Sequence, residues 1–441
     1  MRRSFLLAAA LALLAGCGST GDVAVPPERL VLVVVDMLRQ DHVSAYGGRV
    51  ETPVLDRLAE NGRRFEEAVS SFHMTSMAMG ALFTGRTPSL ETGTLGSPLP
   101  WNGTTWCGFR RFDPTGTTCV PQALTTLAEV VKRAGYTTIG VVSNPLIFNP
   151  AGFSRGFDQW VEVGDVGLVK RRGRQQDGNP YIDGAVLMQR LRAGADTSGG
   201  VARSADPVLR AVRAALAKRR DDRFFLYVHF MDVHDHVMLQ VDYAEGVRRA
   251  DTAVGKLLDI LVEDGLADGT ITVVMADHGE RLGEQHAVVG PGNHEGNPSF
   301  ETLLKVPLIV SPAPPMIREL PSTLRGEDVY RLVAALATAA PQPPAADLDD
   351  GELLVSEERY VTYRTPRWKS LWPRDGGKPT LFDLDADPAE KTNVSAAHPD
   401  VVEAHGARVQ ALVTKLASEP VPDKPLTDVE KQRLRALGYL E

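Results

Sequence analysis

The sequence predicts an α/β fold: a large mixed, mostly parallel sheet sandwiched by helices, followed by a small C-terminal α+β subdomain. Short segments that are apolar throughout indicate strands buried on both faces of a sheet. Segments with helical spacing of apolar residues alternate with them, which is typical of βαβ units. A chain of 441 residues, 43% hydrophobic and 24% charged, can bury a core of this size.

The predicted strands of the large sheet are short, continuous and rich in β-branched residues. In chain order they are Leu30 to Val35, Thr137 to Val142, Phe224 to Phe230, Thr270 to Ala276 and Lys305 to Val310. Helical spacing between them predicts a helix that ends at Asn61-Gly62, a second from Ala123 to Ala134, and a third from Tyr243 to Asp264.

A change of composition separates the predicted large α/β domain, residues 29–340, from the C-terminal part of the chain. Residues 341–352 are rich in proline, alanine and aspartate, which indicates a linker. The subdomain that follows, residues 353–441, contains strand-like segments and two polar helices. The strand-like segments are Leu353 to Ser356, Tyr360 to Arg364 and Pro379 to Phe382.

The N-terminus has the layout of an export signal. Two arginines precede an apolar run that is too short to span a bilayer. The sequence LAGC that follows resembles a bacterial lipobox, so residues 1–17 are expected to be a signal peptide that ends at a lipid-carrying Cys17, with residues 18–28 as a tether. A plain signal peptide with an incidental cysteine is the alternative. Gly18 and Ser19, rather than an aspartate, favour the periplasmic face of the outer membrane.

The remaining cysteines indicate a disulfide, and the net charge bears on the kind of partner. Cys107 and Cys119 form an even pair in an oxidising compartment, which favours a disulfide over a structural metal site. The net charge of −8, without a long run of lysine and arginine, argues against a nucleic-acid partner.

Acidic and histidine side chains cluster where three predicted strands end. In open α/β sheets, ligands bind beyond the carboxyl ends of the strands. Carboxylates that converge in a cleft need a cation between them, and oxygen and nitrogen ligands suit Zn²⁺ or Mn²⁺. The clustered residues are Asp36 after the first strand; His229, Asp232, His234, Asp235 and His236 at the third; and Asp277, His278 and Glu280 after the fourth.

Nine motifs in a fixed order identify a family resemblance. They are VDMLRQDHVSAYGG, TPVLDRLAENGRRF, ALFTGR, TLAEVVKRAGYTTIGVVSNP, GFSRGFDQW, YVHFMDVHDH, ADHGERLGE, LKVPLIV and LFDLDADPAEKTNV. Together they resemble the sulfatase family of the alkaline phosphatase superfamily, from about residue 29 to the end of the chain. The resemblance implies an alkaline-phosphatase-like sheet and a metal-dependent hydrolase, or transferase, that acts on anionic phosphate or sulfate esters.

The resemblance also assigns roles to individual residues. Asp36 is similar to the first metal ligand of the family, and Asp277 with His278 is similar to the pair that completes that site. In sulfatases the nucleophile position stands nine residues before the threonine of the T-G-R motif, and nine residues before Thr84 is Thr75. Thr75 is therefore expected to be both nucleophile and metal ligand, with Ser76, one place out of register, as its rival.

The nucleophile stretch departs from the pattern of formylglycine sulfatases. Residues 75–79 read TSMAM, without the cysteine and the arginine that formylglycine formation requires. This is closer to the branch of the family that uses an unmodified threonine, which favours cleavage of phosphoesters or phosphodiesters. Met37 replaces a second ligating aspartate and fits the same branch. A role for Thr75 as a helix N-cap is compatible with this function.

The second cluster allows two interpretations. As in the D-P-H motif of sulfatases, Asp232 and His234 face the substrate or the metal, and His234 assists the leaving group. Alternatively, Asp232 and His236 hold a second Zn²⁺ together with the distant His294, and His234 is the rival for that role. One or two divalent ions are thus expected, Zn²⁺ foremost and Mn²⁺ or Ca²⁺ as alternatives.

Two further residues are expected to contact the substrate, His229 and Asn144. The leading hypothesis remains phosphoester cleavage at Thr75. The alternatives are a true sulfuric ester hydrolase and a non-catalytic lipoprotein that binds a ligand in the same cleft. The presence of Asp36, Thr75, Asp277 and His278 argues against the non-catalytic alternative.

Overall fold

The computed structural model describes most of the chain between residues 25 and 418. The described residues are 25–89, 108–109, 112, 119–147, 151–163, 205–219, 222–239, 241–290, 299–318, 320–321, 323–340, 348, 351–357 and 359–418. Several predictions fall on residues outside this set: the signal peptide with Cys17, residues 18–24 of the tether, Cys107, His294, most of the linker and residues 419–441.

The strands form one large sheet and two smaller ones. Their bounds are β1 (Arg29–Val35), β2 (Arg63–Arg64), β3 (Glu67–Val69), β4 (Thr137–Val142), β5 (Gln159–Glu162), β6 (Phe224–Phe230), β7 (Thr270–Ala276), β8 (Leu308–Ser311), β9 (Thr323–Arg325), β10 (Leu353–Ser356), β11 (Tyr360–Arg364), β12 (Trp368–Pro373) and β13 (Thr380–Asp383). The large sheet has seven strands in the order β2-β8-β7-β1-β6-β4-β5.

The predicted mixed, mostly parallel sheet is confirmed. Strands β7, β1, β6, β4 and β5 run parallel, whereas β8 runs antiparallel to β7 and β2 antiparallel to β8. Every residue of β1, β6 and β7 is buried, as their continuous apolar sequences predicted. The predicted start of β8 at Lys305 is wrong. Lys305 is the C-cap of a short helix, and Pro307, two residues further on, has no N–H for the ladder.

The helices have the following bounds: α1 (Pro53–Glu60), α2 (Thr75–Thr84), α3 (Leu127–Arg133), α4 (Ala205–Leu216), α5 (Asp235–Leu239), α6 (Tyr243–Glu263), α7 (Glu301–Leu304), α8 (Pro315–Arg318), α9 (Gly326–Thr338) and α10 (Pro399–Ser418). One group, α1, α4 and α6, packs together, as does a second group, α2, α3 and α9. Helix α3 begins four residues later than predicted because Thr126 and Glu129 form a capping box.

The C-terminal subdomain is an antiparallel sheet in the order β10-β11-β12-β13 with α10 against it. It is packed into the large α/β domain, because Leu353 and Val355 of β10 share a small apolar core with Met77 and Ala78 of α2. Buried ion pairs reinforce this contact, with Arg364 and Lys369 both binding Glu301.

The two longest of the helices given above, α6 and α10, contain 21 and 20 residues and carry charged side chains. No helix in the described part of the chain is both long enough and apolar enough to cross a bilayer.

Candidate active site

Four neighbouring parallel strands bring the functional side chains together at one edge of the large sheet. Asp277 follows β7, Asp36 follows β1, His229 is the sixth residue of β6, and Asn144 lies two residues beyond β4. Because β7, β1, β6 and β4 are adjacent, these four side chains lie in this order along the carboxyl edge.

Asp36, His229 and Asp277 form a group that could hold a metal ion. Each offers one ligand atom, all three atoms lie within 4.8 Å of one another, and all three residues are buried. His229 Nε2 lies 3.5 Å from Asp36 Oδ2. In the described part of the chain, Asp36 Oδ1 and Asp277 Oδ2 have no hydrogen-bond partner. Buried carboxylate oxygens without donors fit a divalent cation, which would neutralise them.

The pKa values of the two carboxyl groups are displaced in opposite directions. Burial acts to raise the pKa of Asp36, but the close approach of His229 and the positive charges of His234 and His278 outweigh it and hold this pKa well below the usual range. Burial and the nearby charge of Asp36 raise the pKa of Asp277. Like charges in a dry site cause this divergence, and a bound cation would relieve it.

His278 faces the same carboxylates through its Nε2 atom. This atom lies 3.9 Å from Asp36 Oδ1 and 3.7 Å from Asp277 Oδ2. The Nδ1 atom is 2.7 Å from the carbonyl oxygen of Gly279 and donates its proton there. The Nε2 lone pair can therefore bind an ion or accept a hydrogen bond. The predicted association of Asp36, Asp277 and His278 is present in the structure.

Thr75 lies beside His278, at the start of α2. Its Oγ1 atom is 3.2 Å from His278 Nε2, and only 5% of the residue is exposed. The interpretation of Thr75 as an N-cap is wrong: the N-cap of α2 is Met74, without a side-chain cap, and Thr75 is the first helical residue. The rival Ser76 is also buried, but its Oγ makes no hydrogen bond within the described residues.

His229 and Asn144 both contact Asp36, although the sequence suggested contacts with the substrate. Asn144 Nδ2 donates a hydrogen bond of 2.5 Å to Asp36 Oδ2. The far side of the His229 ring lies against Tyr227, whose hydroxyl is 2.8 Å from His229 Nδ1. Burial and the charges of Asp277 and Asp36 raise the pKa of Tyr227 well above its usual value, so this hydroxyl stays neutral.

The predicted second cluster is only partly assembled in the described residues. Asp232 Oδ1 accepts a 3.3 Å hydrogen bond from the backbone N–H of Ala205. His236 Nδ1 donates to the carbonyl oxygen of Val241 at 2.9 Å. The half-buried His234 is close enough to Asp36 for its charge to lower that residue's pKa. The second metal ion stays a prediction, because His294 lies outside the described residues.

Cys119 is buried and disulfide-bonded. Its oxidised state agrees with the predicted disulfide. The expected partner, Cys107, lies outside the described residues, so the pairing itself stays a prediction.

Met37, next to Asp36, has a strained backbone that the sequence did not reveal. It is a buried non-glycine residue with φ of 61°. Its N–H donates to Asp277 Oδ1 at 3.1 Å, and its carbonyl accepts a 2.6 Å hydrogen bond from Tyr243. Strained residues cluster at functional sites where surrounding contacts hold them. Here the strained turn ties the two carboxylate-bearing strands to each other.

The segment before α2 is held from two sides by buried polar groups. The Ser71 hydroxyl donates to Glu327 of α9. His73 Nδ1 lies 2.8 Å from Ser299 Oγ, and the Ser299 N–H donates to Glu357 Oε1 at 2.7 Å. Burial raises the pKa of Glu357 to about 7. No local motif marks these contacts, which join distant parts of the sequence.

Comparisons with known proteins agree on one family. A family model described as Sulfatase matches residues 28–314. An N-acetylgalactosamine-6-O-sulfatase of Bacteroides thetaiotaomicron is 24% identical, with 92% of this chain and 98% of the relative aligned. An arylsulfatase of Hemicentrotus pulcherrimus is 25% identical over 64% of this chain and 53% of the relative.

Solved structures show the same fold. A phosphonate monoester hydrolase of Agrobacterium radiobacter superposes with a TM-score of 0.59 at 16% identity, covering 92% of this chain and 99% of that one. A putative sulfatase of Bacteroides thetaiotaomicron gives a TM-score of 0.61 at 15% identity, covering 91% and 96%. At such identities the likeness concerns the fold, and it confirms the predicted fold class.

Proposed function

The chain belongs to the sulfatase family of the alkaline phosphatase superfamily, hydrolases of ester bonds, and we propose that it cleaves phosphate monoesters or diesters with Thr75 as nucleophile. The observation that carries this proposal is the position of the Thr75 hydroxyl. It is buried, 3.2 Å from His278 Nε2, which in turn faces the carboxylates of Asp36 and Asp277.

Each residue of the site has its own role in the proposed reaction. His278 Nε2 takes up the Thr75 hydroxyl proton as Oγ1 attacks the ester. A divalent cation bound by Asp36, His229 and Asp277 would supply Lewis-acid stabilisation of the negative charge on the ester oxygens. The bond from Oγ1 to phosphorus forms while the bond to the leaving alcohol breaks. His234 would donate a proton to that alcohol.

The second half of the reaction favours phosphorus over sulfur. A threonine ester has no aldehyde hydrate that could expel the product by collapse, so water must attack the ester itself. Residue 75 is a threonine and not a cysteine, so formylglycine cannot be made there. We therefore propose phosphate esters rather than sulfate esters as the preferred substrates.

The test is a substrate panel with matched variants. Aryl phosphate, bis-aryl phosphate and aryl sulfate are compared on wild type, Thr75→Ala and the control Ser76→Ala. We expect phosphate esters to be preferred, and Thr75→Ala to lower kcat on the order of 10³-fold or more, with Ser76→Ala close to wild type. Activity that survives Thr75→Ala would remove the nucleophile assignment.

A sulfuric ester hydrolase is the second candidate function. It is favoured by the relative named N-acetylgalactosamine-6-O-sulfatase, which aligns over 92% of this chain. A preference for the aryl sulfate in the same panel, lost in Thr75→Ala, would select this candidate.

We also propose that Cys17 carries a lipid that tethers the enzyme to a bacterial membrane, with the outer membrane favoured. The support is the LAGC sequence after a short apolar run. A Cys17→Ser variant expressed in a bacterial host should leave the membrane fraction. If the variant fractionates like the wild type, the anchor is not at Cys17.

A further inference from the structure

Tyr227 and His229 lie on the same face of β6, because side chains two residues apart along a strand point to the same side. Both are fully buried, and the Tyr227 hydroxyl is 2.8 Å from His229 Nδ1. In the described part of the chain, this hydroxyl is the hydrogen-bond partner of Nδ1. The sequence assigned no role to Tyr227.

The other nitrogen of the His229 ring faces the carboxylates. Nε2 lies 3.5 Å from Asp36 Oδ2 and belongs to the group of ligand atoms within 4.8 Å of one another. It has no hydrogen-bond partner among the described residues. A histidine can bind a cation through Nε2 only if its proton is on Nδ1, and that proton then needs an acceptor.

We propose that Tyr227 is a positioning residue of the cation site, whose hydroxyl oxygen accepts the Nδ1 proton of His229 so that the Nε2 lone pair faces Asp36 and Asp277. This inference rests on the metal-dependent function proposed above. It makes His229 a metal ligand rather than a contact for the substrate.

Aromatic side chains packed around Tyr227 hold its ring in a position from which the hydroxyl reaches His229. Phe83 of α2 meets the Tyr227 ring edge-on at 5.2 Å, and Trp160 of β5 stacks on it with an interplanar angle of 11°. The hydroxyl therefore has little freedom to leave His229. Because Phe83 is on the same helix as Thr75, this packing also connects the nucleophile helix to the strand that carries His229.

The test measures zinc binding rather than activity. Metal-free wild type and Tyr227→Phe are titrated with Zn²⁺ against a chromophoric chelator. Loss of a hydrogen bond that orients a ligating histidine typically weakens metal affinity about 10–100-fold, and we expect a loss in that range. The control is Tyr136→Phe, which removes another buried hydroxyl, 2.5 Å from the carbonyl oxygen of Pro27, and should bind zinc like the wild type.

The outcomes separate this inference from the proposed function. A wild type that binds no zinc overturns the metal-dependent function itself. Zinc affinity that is unchanged or higher in Tyr227→Phe, with a wild type that binds, overturns only the role of Tyr227. A purely structural tyrosine would lower the melting temperature of the metal-free protein and leave the affinity as it was.

A second measurement keeps the inference testable if Tyr227→Phe does not fold. Nitrogen-15 NMR of histidine-labelled, zinc-loaded wild type reports which ring nitrogen of each histidine carries the proton. We expect His229, assigned by comparison with His229→Gln, to carry its proton on Nδ1. A proton on Nε2 would overturn the proposal.

Discussion

Asn144 donates a 2.5 Å hydrogen bond to Asp36 Oδ2, so the loop after β4 fixes the carboxylate that follows β1. The same oxygen faces His229 Nε2 at 3.5 Å, which leaves Oδ1 to face His278. The amide thus sets which oxygen of Asp36 faces which histidine. Both residues are buried, so water cannot replace this hydrogen bond without rearrangement.

An Asn144→Ala variant should lose metal affinity and activity together. A hydrogen bond to a charged group contributes about 1.5–3 kcal/mol, which corresponds to about a 10–100-fold change. We expect zinc affinity of the metal-free protein and kcat to fall within this range. The control Ser143→Ala removes a neighbouring hydroxyl that donates to the His229 carbonyl oxygen and should change both quantities little. Zinc affinity unchanged in Asn144→Ala would contradict an orienting role.

The positions of Asp36, Asp277 and His278 followed from the sequence because Asp36 and Asp277 each come directly after an apolar strand and His278 is the next residue after Asp277. Buried parallel strands have continuous apolar sequences, so their carboxyl ends can be located in the sequence. The residues that follow these ends lie at the edge of the sheet where ligands bind. The ring contacts of His229 did not follow from the sequence, since they depend on the lateral order β7-β1-β6-β4 and on the side chain of Tyr227. The strained turn at Met37 was also hidden, because β-turn statistics do not anticipate a positive φ at methionine.

Glu327 is expected to position the nucleophile helix although it is distant from Thr75 in sequence. Its buried carboxylate binds the hydroxyl of Ser71, which precedes α2, and that of Thr87, which follows α2, at 3.0 Å. A glutamine has one acceptor oxygen where the carboxylate has two, so Glu327→Gln should release one end of the helix. We expect kcat to fall about tenfold, because small misplacements of reacting groups slow catalysis strongly.

The control for Glu327 is another paired carboxylate away from α2. Glu352 binds Arg408 of α10 and the Tyr363 hydroxyl, so Glu352→Gln should lower stability but leave kcat unchanged. Steady-state kinetics and urea unfolding on both variants separate the two effects. If the two variants lose stability equally and keep full kcat, Glu327 supports the fold alone.

Glu357 should make the stability of the protein fall as pH rises. Burial raises its pKa to about 7, above the value of 4.5 expected in the unfolded chain. Between these values the folded state binds the proton more tightly, so stability is highest at low pH and is lost as pH rises through about 7. The loss amounts to about 3.5 kcal/mol at most, since the folded and unfolded pKa values differ by about 2.5 and a difference of one corresponds to about 1.4 kcal/mol.

A Glu357→Gln variant removes this dependence because its amide is neutral at all pH values. In urea unfolding, the free energy of unfolding of the variant relative to that of the wild type should be higher at pH 8 than at pH 5. The neighbouring Glu390, with a pKa raised by burial to about 7, acts in the same direction but is present in both proteins. The exposed Glu66, changed to glutamine, serves as control and should follow the wild type. Parallel pH profiles for wild type and Glu357→Gln would show that Glu357 is ionised in the folded protein.

Asp251 of α6 caps a different helix, α1, and its removal should destabilise the protein without affecting the active site. Its two oxygens accept the N–H groups of Val54 at 3.2 Å and Leu55 at 2.9 Å, which Thr52, the N-cap of α1, leaves unpaired. Loss of a cap typically costs about 0.5–2 kcal/mol. Urea unfolding of Asp251→Ala should show a loss in this range with kcat unchanged, whereas Asp259→Ala, at an exposed position of the same helix, should match the wild type. Equal stability of the two variants would mean that water caps α1 as well as the carboxylate does.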